Sequence, residues 1–211
     1  MSTLADERKD YSHATLDFAD LGDDPIFALA RWIDEARARA ASEPTAMTLC
    51  TVDPDGTPSA RIVLCKGVSA DGLSFYTNYE SRKGRALAQE PRAAATFFWP
   101  ALERQARIEG ITERVSRSDS EQYFHSRPRG SQIAAGAWQQ SAALPDRALL
   151  EAEVARLEAA FPNEVPLPES WGGYLLRPRA IEFWQGRPSR LHDRISYVLV
   201  DGNWTRRRLA P

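Results

Sequence analysis

Short β-rich segments joined by tight turns recur along this chain of 211 residues, and this pattern is the strongest constraint on its fold. Segments 45–52 and 59–66 flank the turn sequence DPDGTP, and strand 73–77 follows an Ala-Asp-Gly turn. The same pattern predicts strands at 93–99, 104–112, 171–176, 180–185, 194–200 and 204–209. Because strands linked by such turns pair in antiparallel fashion, we expect a mainly β fold that closes into a barrel.

A few helices are expected at the periphery of that barrel. Asp24 and Pro25 open a helix over 25–40, whose apolar stripe is Ile26, Leu29, Ile33 and Ala36. Ser81 is predicted to cap a short helix that ends at Gln89. Further helices are predicted over 118–126, 129–137 and 145–161, the last with an apolar face of Leu150, Val154, Leu157 and Phe161. Residues 1–24 lack periodicity, so we expect a mobile N-terminal arm followed by one domain over 25–211.

Composition excludes several classes of function. A formal net charge of -2 with 27% charged residues gives none of the basic excess of a nucleic-acid-binding protein. The chain has no apolar run of roughly 20 residues and starts with a polar, acidic segment, so we expect a cytoplasmic protein without a membrane span. Cys50 and Cys65 lie in apolar strand segments and are interpreted as structural thiols, and no cysteine or histidine spacing indicates a metal site.

The segment IEFWQGRPSRLHDR, residues 181–194, holds the densest group of candidate binding residues. Trp184 is followed by Arg190, His192 and Arg194, which recur at every second position and would share one face of an extended segment. Such side chains repel one another unless an anion compensates them, which favours a site for a flat anionic ligand. The alternative is a solvated arginine-rich edge strand.

Two further segments carry candidate phosphate ligands. Arg61 and Lys66 bracket an apolar strand, and Ser81, Arg82 and Lys83 lie at a helix N-terminus, where free N–H groups attract anions. The alternatives are a strand with charged ends and an exposed basic helix start. In YFHSRPRGSQ, a spacing of four predicts a phosphate clamp, or else a solvated helix face, made of Tyr123, Arg127 and Ser131.

Seven motifs together resemble the pyridoxamine 5'-phosphate oxidase family: RIVLCK, FYTNYESRKG, LERQ, YFHSRPRGSQ, WGGY, EFWQGRPSRLHDR and RRLAP. They occur in the family's order between Pro25 and Pro211. The resemblance implies an FMN-binding split β-barrel that forms a homodimer, with two FMN molecules in the subunit interface. It implies oxidation of pyridoxamine or pyridoxine 5'-phosphate to pyridoxal 5'-phosphate by O2, with release of hydrogen peroxide and, from the amine, ammonia.

The resemblance also assigns residues to roles. Near the FMN phosphate it places Arg61, Arg82, Lys83 and Ser141. Along the ribityl chain and flavin it places Ile62, Val63, Leu64, Cys65, Lys66, Tyr76 and Thr77, and the cofactor site is completed by Gln105, Gln140, Trp184 and Arg194. The substrate phosphate falls to Lys66, Tyr123, Arg127 and Ser131. The catalytic pair that covers the pyridine ring is Arg190 and His192, with Leu191 between them, and an arm over the substrate loosely matches Arg8 and Tyr11.

One motif departs from the family, and two other functions stay open. The GAW sequence lies two residues later, in IAAGAWQQS, which bears on the backbone before Gln140 and Ser141. A phenazine-biosynthesis oxidase of the same barrel would share the FMN motifs, but the substrate clamp argues against it; this clamp is made of Lys66, Tyr123, Arg127 and Ser131. A non-catalytic flavin-binding or pyridoxal phosphate-binding protein would not need Arg190 and His192.

Overall fold

The computed structural model describes residues 10–39 and 41–211. Within them, nine antiparallel strands form one sheet in the order β2-β1-β5-β6-β7-β4-β3, and β8 and β9 extend it beside β7. The strands are β1 (Ala46–Val52), β2 (Pro58–Leu64), β3 (Gly67–Ser69), β4 (Gly72–Asn78), β5 (Arg92–Trp99), β6 (Arg104–Arg114), β7 (Trp171–Gln185), β8 (Asp193–Val200) and β9 (Asn203–Leu209). The predicted mainly β fold is confirmed.

Strand β7 divides the barrel into two parts. It pairs with β6 from Tyr174 to Gln185, with β4 from Trp171 to Leu176, and with β8 from Ala180 to Gln185. Pro178 lies between the two halves, next to a shift in the β6–β7 register. A proline, which has no N–H to donate, is tolerated at such an irregularity because the regular hydrogen-bond ladder is interrupted there. The strand pattern predicted two separate strands here, but they form one strand. Its change of partner from β4 to β8 divides the sheet, in agreement with the split β-barrel that the family resemblance implied.

Six helices surround the sheet in the described residues: α1 (Phe18–Leu21), α2 (Pro25–Ala38), α3 (Arg82–Gln89), α4 (Arg117–Ser126), α5 (Arg129–Gly136) and α6 (Arg147–Ala160). The predicted stripe of α2 is buried, and Ser81 caps α3 by accepting a hydrogen bond from the Gly84 N–H at 3.2 Å. The predicted apolar face of α6 holds no fully buried residue. Across residues 10–39 and 41–211, no helix is long and apolar enough to cross a membrane.

The core consists of two clusters. The main cluster fills the curve of the sheet and includes Trp32 of α2, whose ring makes an edge contact with Phe183 at 4.9 Å. A smaller cluster joins Phe124 of α4, Ile133 of α5 and Trp171 of β7. The smaller cluster therefore anchors α4 and α5 against the end of β7, where a cleft opens.

The N-terminal segment is packed more closely than expected. Leu16 and Leu21 are 3% and 1% exposed and belong to the main core, so the domain boundary predicted at Pro25 does not separate residues 10–24 from the barrel. Backbone N–H groups of Ser12 and His13 both donate to Glu103 Oε2 at 2.9 Å. The mobility of the arm stays a prediction, and Arg8 lies outside the described residues.

Candidate active site

A cleft of about 590 Å³ opens between β2, the end of β4, and helices α4 and α5. It brings together eleven of the predicted site residues, although they come from five separate segments of the chain. They are Ile62, Val63, Leu64, Lys66, Tyr76, Thr77, Lys83, Tyr123, Arg127, Ser131 and Gln140. Sequence reasoning did not single out Trp171, which also lines the cleft, although WGGY was among the motifs.

Around Lys83, which lines the cleft, lies what we call the α3 anion site, made of Arg61, Arg82, Lys83 and the first turn of α3; the side chains of Arg61 and Arg82 do not line the cleft itself. Lys83 Nζ donates to Thr77 Oγ1 at 3.0 Å, Ser81 Oγ at 2.9 Å and Gln140 Oε1 at 2.8 Å. Burial, together with the charge of Arg61, lowers the pKa of Lys83 to about 8. The amine is therefore mostly a cation at neutral pH, and a modest rise in pH deprotonates it.

Close packing holds α3 in this position. A Cβ on Gly84 would lie 2.2 Å from the backbone oxygen of Tyr79, so only glycine lets the helix approach the end of β4 so closely. The Arg82 N–H donates to Ser141 Oγ at 3.3 Å, and Ser141 has a left-handed φ of 72°. Gln140 and Ser141 thus both reach the α3 anion site, despite the altered sequence before them.

The other end of the cleft forms the Arg127 anion site, made of Lys66, Tyr123, Arg127 and Ser131. Helix α4 ends at Ser126, Arg127 is extended, and Pro128 precedes α5. This break agrees with the two separate helices predicted for this segment, and across it Tyr123, Arg127 and Ser131 line one cleft.

Arg127 brings a buried guanidinium to this site. Its guanidinium lies 4.7 Å from the centre of the Trp171 ring, and its buried NH1 atom has no hydrogen-bond partner among the described residues. Burial lowers the pKa of Arg127. A buried donor without a partner is costly, so this end of the cleft is suited to an anionic oxygen.

Stacked aromatic rings form the wall between α4 and β4. Tyr76 and Tyr123 stack with centroids 3.9 Å apart, and Trp171 stacks on Tyr76 at 5.6 Å. A Cβ on Gly173 would lie 2.7 Å from the Tyr76 ring, so glycine at this position lets the ring lie against β7. The wall gives a flat, rigid surface beside both anion sites.

The remaining predicted residues form a separate group, which we call the Trp184 cluster: Tyr11, Gln105, Trp184, Arg190, Leu191, His192 and Arg194. Trp184 on β7 pairs in register with Gln105 on β6 and with Arg194 on β8. The rings of His192 and Tyr11 lie 4.6 and 5.5 Å from that of Trp184. This cluster does not line the cleft of its own chain.

The cationic row predicted for this segment is wrong. Residues 188–190 form a short 3-10 turn, and Ser189 and Arg190 both have left-handed φ angles, of 55° and 64°. Arg194 instead forms a two-pronged ion pair with Glu182, at 2.8 and 3.0 Å. Arg190 alone of the three projects from an exposed, strained turn, a conformation that often marks functional loops.

The protonation of His192 follows from its contacts. Its Nδ1 accepts a hydrogen bond from the Arg187 N–H at 3.1 Å, which places the proton of the neutral ring on Nε2. Partial burial and the nearby charge of Arg190 lower the pKa of His192. His192 is therefore a hydrogen-bond donor through Nε2 at neutral pH.

Cys65 does not contribute its side chain to the cleft, unlike its neighbours in RIVLCK. Its thiol is buried, donates to the Gly67 oxygen at 3.3 Å, and has its pKa raised by burial to about 11. The thiol is thus neutral and inert. The cysteine fits the structural role that its apolar context predicted.

Comparison with known proteins identifies the family. A family model described as pyridoxamine 5'-phosphate oxidase matches residues 33–161, and one described as the pyridoxine 5'-phosphate oxidase C-terminal dimerisation region matches 171–211. Proteins named pyridoxine/pyridoxamine 5'-phosphate oxidase are similar over nearly the full length of both chains. That of Ralstonia pickettii is 53% identical over 100% of each chain, and that of Neisseria meningitidis serogroup B is 51% identical over 97% of each.

Solved structures agree on the fold. The PhzG protein of Burkholderia lata 383, solved with tetrahydrophenazine-1-carboxylic acid, superposes with a TM-score of 0.90 and is 30% identical, covering 96% of this chain and 100% of its own. An FMN-binding protein of Nostoc punctiforme superposes at 0.70 with 21% identity, covering 88% and 96%, which shows the fold alone. With family models over both parts of its length and full-length relatives above 50% identity, this chain belongs to the pyridoxamine 5'-phosphate oxidase family.

Proposed function

We propose that this chain is an FMN-dependent oxidase that converts pyridoxamine and pyridoxine 5'-phosphates into pyridoxal 5'-phosphate with O2. Hydrogen peroxide is the other product, together with ammonia from the amine. The observation that carries the proposal is a single cleft with a cationic site at each end, which suits a phosphorylated cofactor beside a phosphorylated substrate. The names and identities of the full-length relatives support the same activity.

The α3 anion site fits the FMN phosphate. The N-terminus of α3 presents the positive end of the helix dipole, and Arg82 and Lys83 add charge that would otherwise oppose that dipole. From there, β2 residues 62–64 and Thr77 continue along the cleft, whose volume lies in the usual range for a small-molecule site. When bound, FMN supplies the two-electron oxidation and the reactivity toward O2.

The Arg127 anion site fits the substrate phosphate. Arg127 has a buried donor with no partner within residues 10–39 and 41–211, and Lys66, Tyr123 and Ser131 line the cleft with it. Held there by its phosphate, the substrate ring would lie along the aromatic wall. This site also favours the proposed substrate over that of a phenazine oxidase, because a phosphate monoester needs these cations.

We propose further that each active site is completed by a second copy of the chain. The Trp184 cluster lies outside the cleft, and all of its members except Tyr11 and Gln105 belong to the segment that matches the dimerisation region. Large apolar side chains are exposed on the outer face of the sheet, including Ile62 at the cleft and Phe98 on β5, which are 64% and 52% exposed. A partner that covers this face would bring Arg190 and the His192 Nε2–H group to the reacting end of the substrate.

The cofactor assignment predicts strong discrimination between FMN and riboflavin. Because riboflavin lacks the phosphate, it loses several charge-assisted hydrogen bonds, and its Kd should exceed that of FMN by roughly 100-fold or more. Titration of the apoprotein, followed by flavin fluorescence, measures both constants. Equal Kd values for the two flavins would show that the α3 anion site does not bind the phosphate.

The same titration has a pH signature. Above pH 8, Lys83 in the apoprotein loses its proton, and FMN binding must restore it, so the Kd for FMN should rise with pH. The Kd for riboflavin should stay constant over that range. Oxygen uptake on addition of pyridoxamine 5'-phosphate then tests the activity. If the FMN-loaded protein takes up no oxygen, the alternative of a non-catalytic binding protein is favoured.

The shared-site proposal predicts complementation between two inactive variants. In a heterodimer of Arg127→Ala and Arg190→Ala chains, one site would carry both changes and the other neither. Heterodimers isolated with two different affinity tags should therefore have about half the wild-type activity, although each homodimer is impaired. If both residues of a site came from one chain, the heterodimer would remain as impaired as its parents.

A further inference from the structure

Asp53 lies at the start of the β1–β2 turn, behind the α3 anion site. Its Oδ2 atom accepts two hydrogen bonds from one guanidinium, from Arg82 Nε at 2.8 Å and Arg82 NH2 at 2.5 Å. The side chain of Asp53 is 9% exposed, whereas that of Arg82 is 58% exposed. The carboxylate is thus buried against the barrel, and it holds an exposed guanidinium through two hydrogen bonds.

Burial of the Asp53 carboxylate has a free-energy cost. Its Oδ1 atom is buried and has no hydrogen-bond partner among the described residues, which is unfavourable for a carboxylate. The main chain of Asp53 already closes the turn, through its N–H to the Thr57 oxygen at 2.9 Å and its oxygen to the Gly56 N–H at 2.8 Å. The turn therefore does not require this side chain, so its role is to be found in the α3 anion site.

Charge gives a second reason for the carboxylate. Arg61 and Arg82 repel each other, Arg61 also repels Lys83, and Asp53 attracts both arginines. Three cations and one carboxylate leave a net charge of about +2, which matches a phosphate monoester dianion. Arg61 is held independently, by Leu49 O at 3.1 Å and Thr51 Oγ1 at 2.8 Å, so Arg82 is the cation that depends on Asp53.

We propose that Asp53 is a positioning residue for phosphate recognition: it aims the Arg82 guanidinium at the α3 anion site and so sets the preference for FMN over riboflavin. This inference rests on the proposed FMN site. It assigns a role in anion binding to a residue of the same charge as the ligand.

Replacing Asp53 with asparagine separates positioning from simple electrostatics, because the two predict opposite signs. Asparagine keeps the shape and removes the negative charge, so electrostatics alone would tighten FMN binding. If positioning dominates, the Kd for FMN should rise about tenfold while that for riboflavin is unchanged. Asp55→Asn is the matched control, since Asp55 is exposed in the same turn and acts on Arg82 by charge without a hydrogen bond to it.

A double-mutant cycle and a second variant complete the experiment. In an Arg82→Ala background, Asp53→Asn should change the Kd for FMN by less than about twofold, because the group that it positions is gone. Arg82→Lys changes the exposed partner of Asp53: it keeps the charge but loses the planar guanidinium that donates two hydrogen bonds. It should weaken FMN binding about as much as Asp53→Asn does. Tighter or unchanged FMN binding by Asp53→Asn overturns the proposal. If Asp53→Asn does not fold, wild-type affinity for FMN in Arg82→Lys overturns it.

The two proposals fail differently in this experiment. If the wild-type protein bound FMN and riboflavin with equal Kd values, the proposed FMN phosphate site would itself be wrong. A wild-type preference that persists in Asp53→Asn would leave the FMN site standing and remove only the role of Asp53.

Discussion

Arg127→Ala is expected to raise KM for pyridoxamine 5'-phosphate by roughly 10- to 100-fold while kcat changes little, since a charge-assisted hydrogen bond contributes about 1.5–3 kcal/mol. The NH1 atom of Arg127 is buried without a partner in the described residues, so a bound phosphate oxygen would satisfy a donor whose desolvation is already complete. The contact is remote from the reacting carbon. Loss of this contact should therefore weaken the binding of the substrate and of the transition state to the same extent.

Two variants test whether the effect comes from the fork of Arg127. Arg129→Ala removes an exposed arginine two residues away and should leave KM within about twofold, because surface charges contribute little. Arg127→Lys keeps the charge but cannot form two parallel hydrogen bonds, so we expect an intermediate KM. An Arg127→Ala enzyme with normal KM and low kcat would move Arg127 from phosphate binding to the chemical step.

Local patterns of the sequence were sufficient for much of the fold. The buried stripe of α2 and the Ser81 cap of α3 are set within one or two helical turns, and the structure confirms both. The two strands predicted around Pro178 are one strand because β6 pairs with the chain on both sides of the proline. That pairing is a long-range effect, so no local window of sequence contains it.

The candidate site shows the same contrast between residues that local sequence patterns predict and residues whose roles depend on the fold. Tyr123, Arg127 and Ser131 were predicted from spacing and do line one cleft, although through a helix break. The row of Arg190, His192 and Arg194 failed because two successive non-glycine residues are left-handed, which residue type does not indicate. Asp53 was hidden within a turn sequence whose residues also satisfy ordinary turn preferences. Its side chain gains a role only when α3 folds against it.

The opposite kinetic signature is expected for Arg190, on the Trp184 cluster. Arg190→Ala should lower kcat by as much as roughly 100-fold, because a misplaced reacting carbon loses orientation that matters in the transition state. His192→Ala should show a milder defect, since the neutral ring contributes one donor, Nε2–H. In both variants the bound flavin, measured by its absorbance, should be unchanged.

Ser189→Ala is the control for a general effect of substitution in the turn, because Ser189 has the same left-handed backbone as Arg190 without its charge. If any side-chain change in this turn were enough, Ser189→Ala and Arg190→Ala would lower kcat equally. If the guanidinium contacts the substrate, Ser189→Ala should keep kcat within about twofold and Arg190→Lys should recover only part of it. Steady-state oxygen uptake decides between these outcomes, and a normal kcat in Arg190→Ala would remove Arg190 from catalysis while leaving the Arg127 anion site intact.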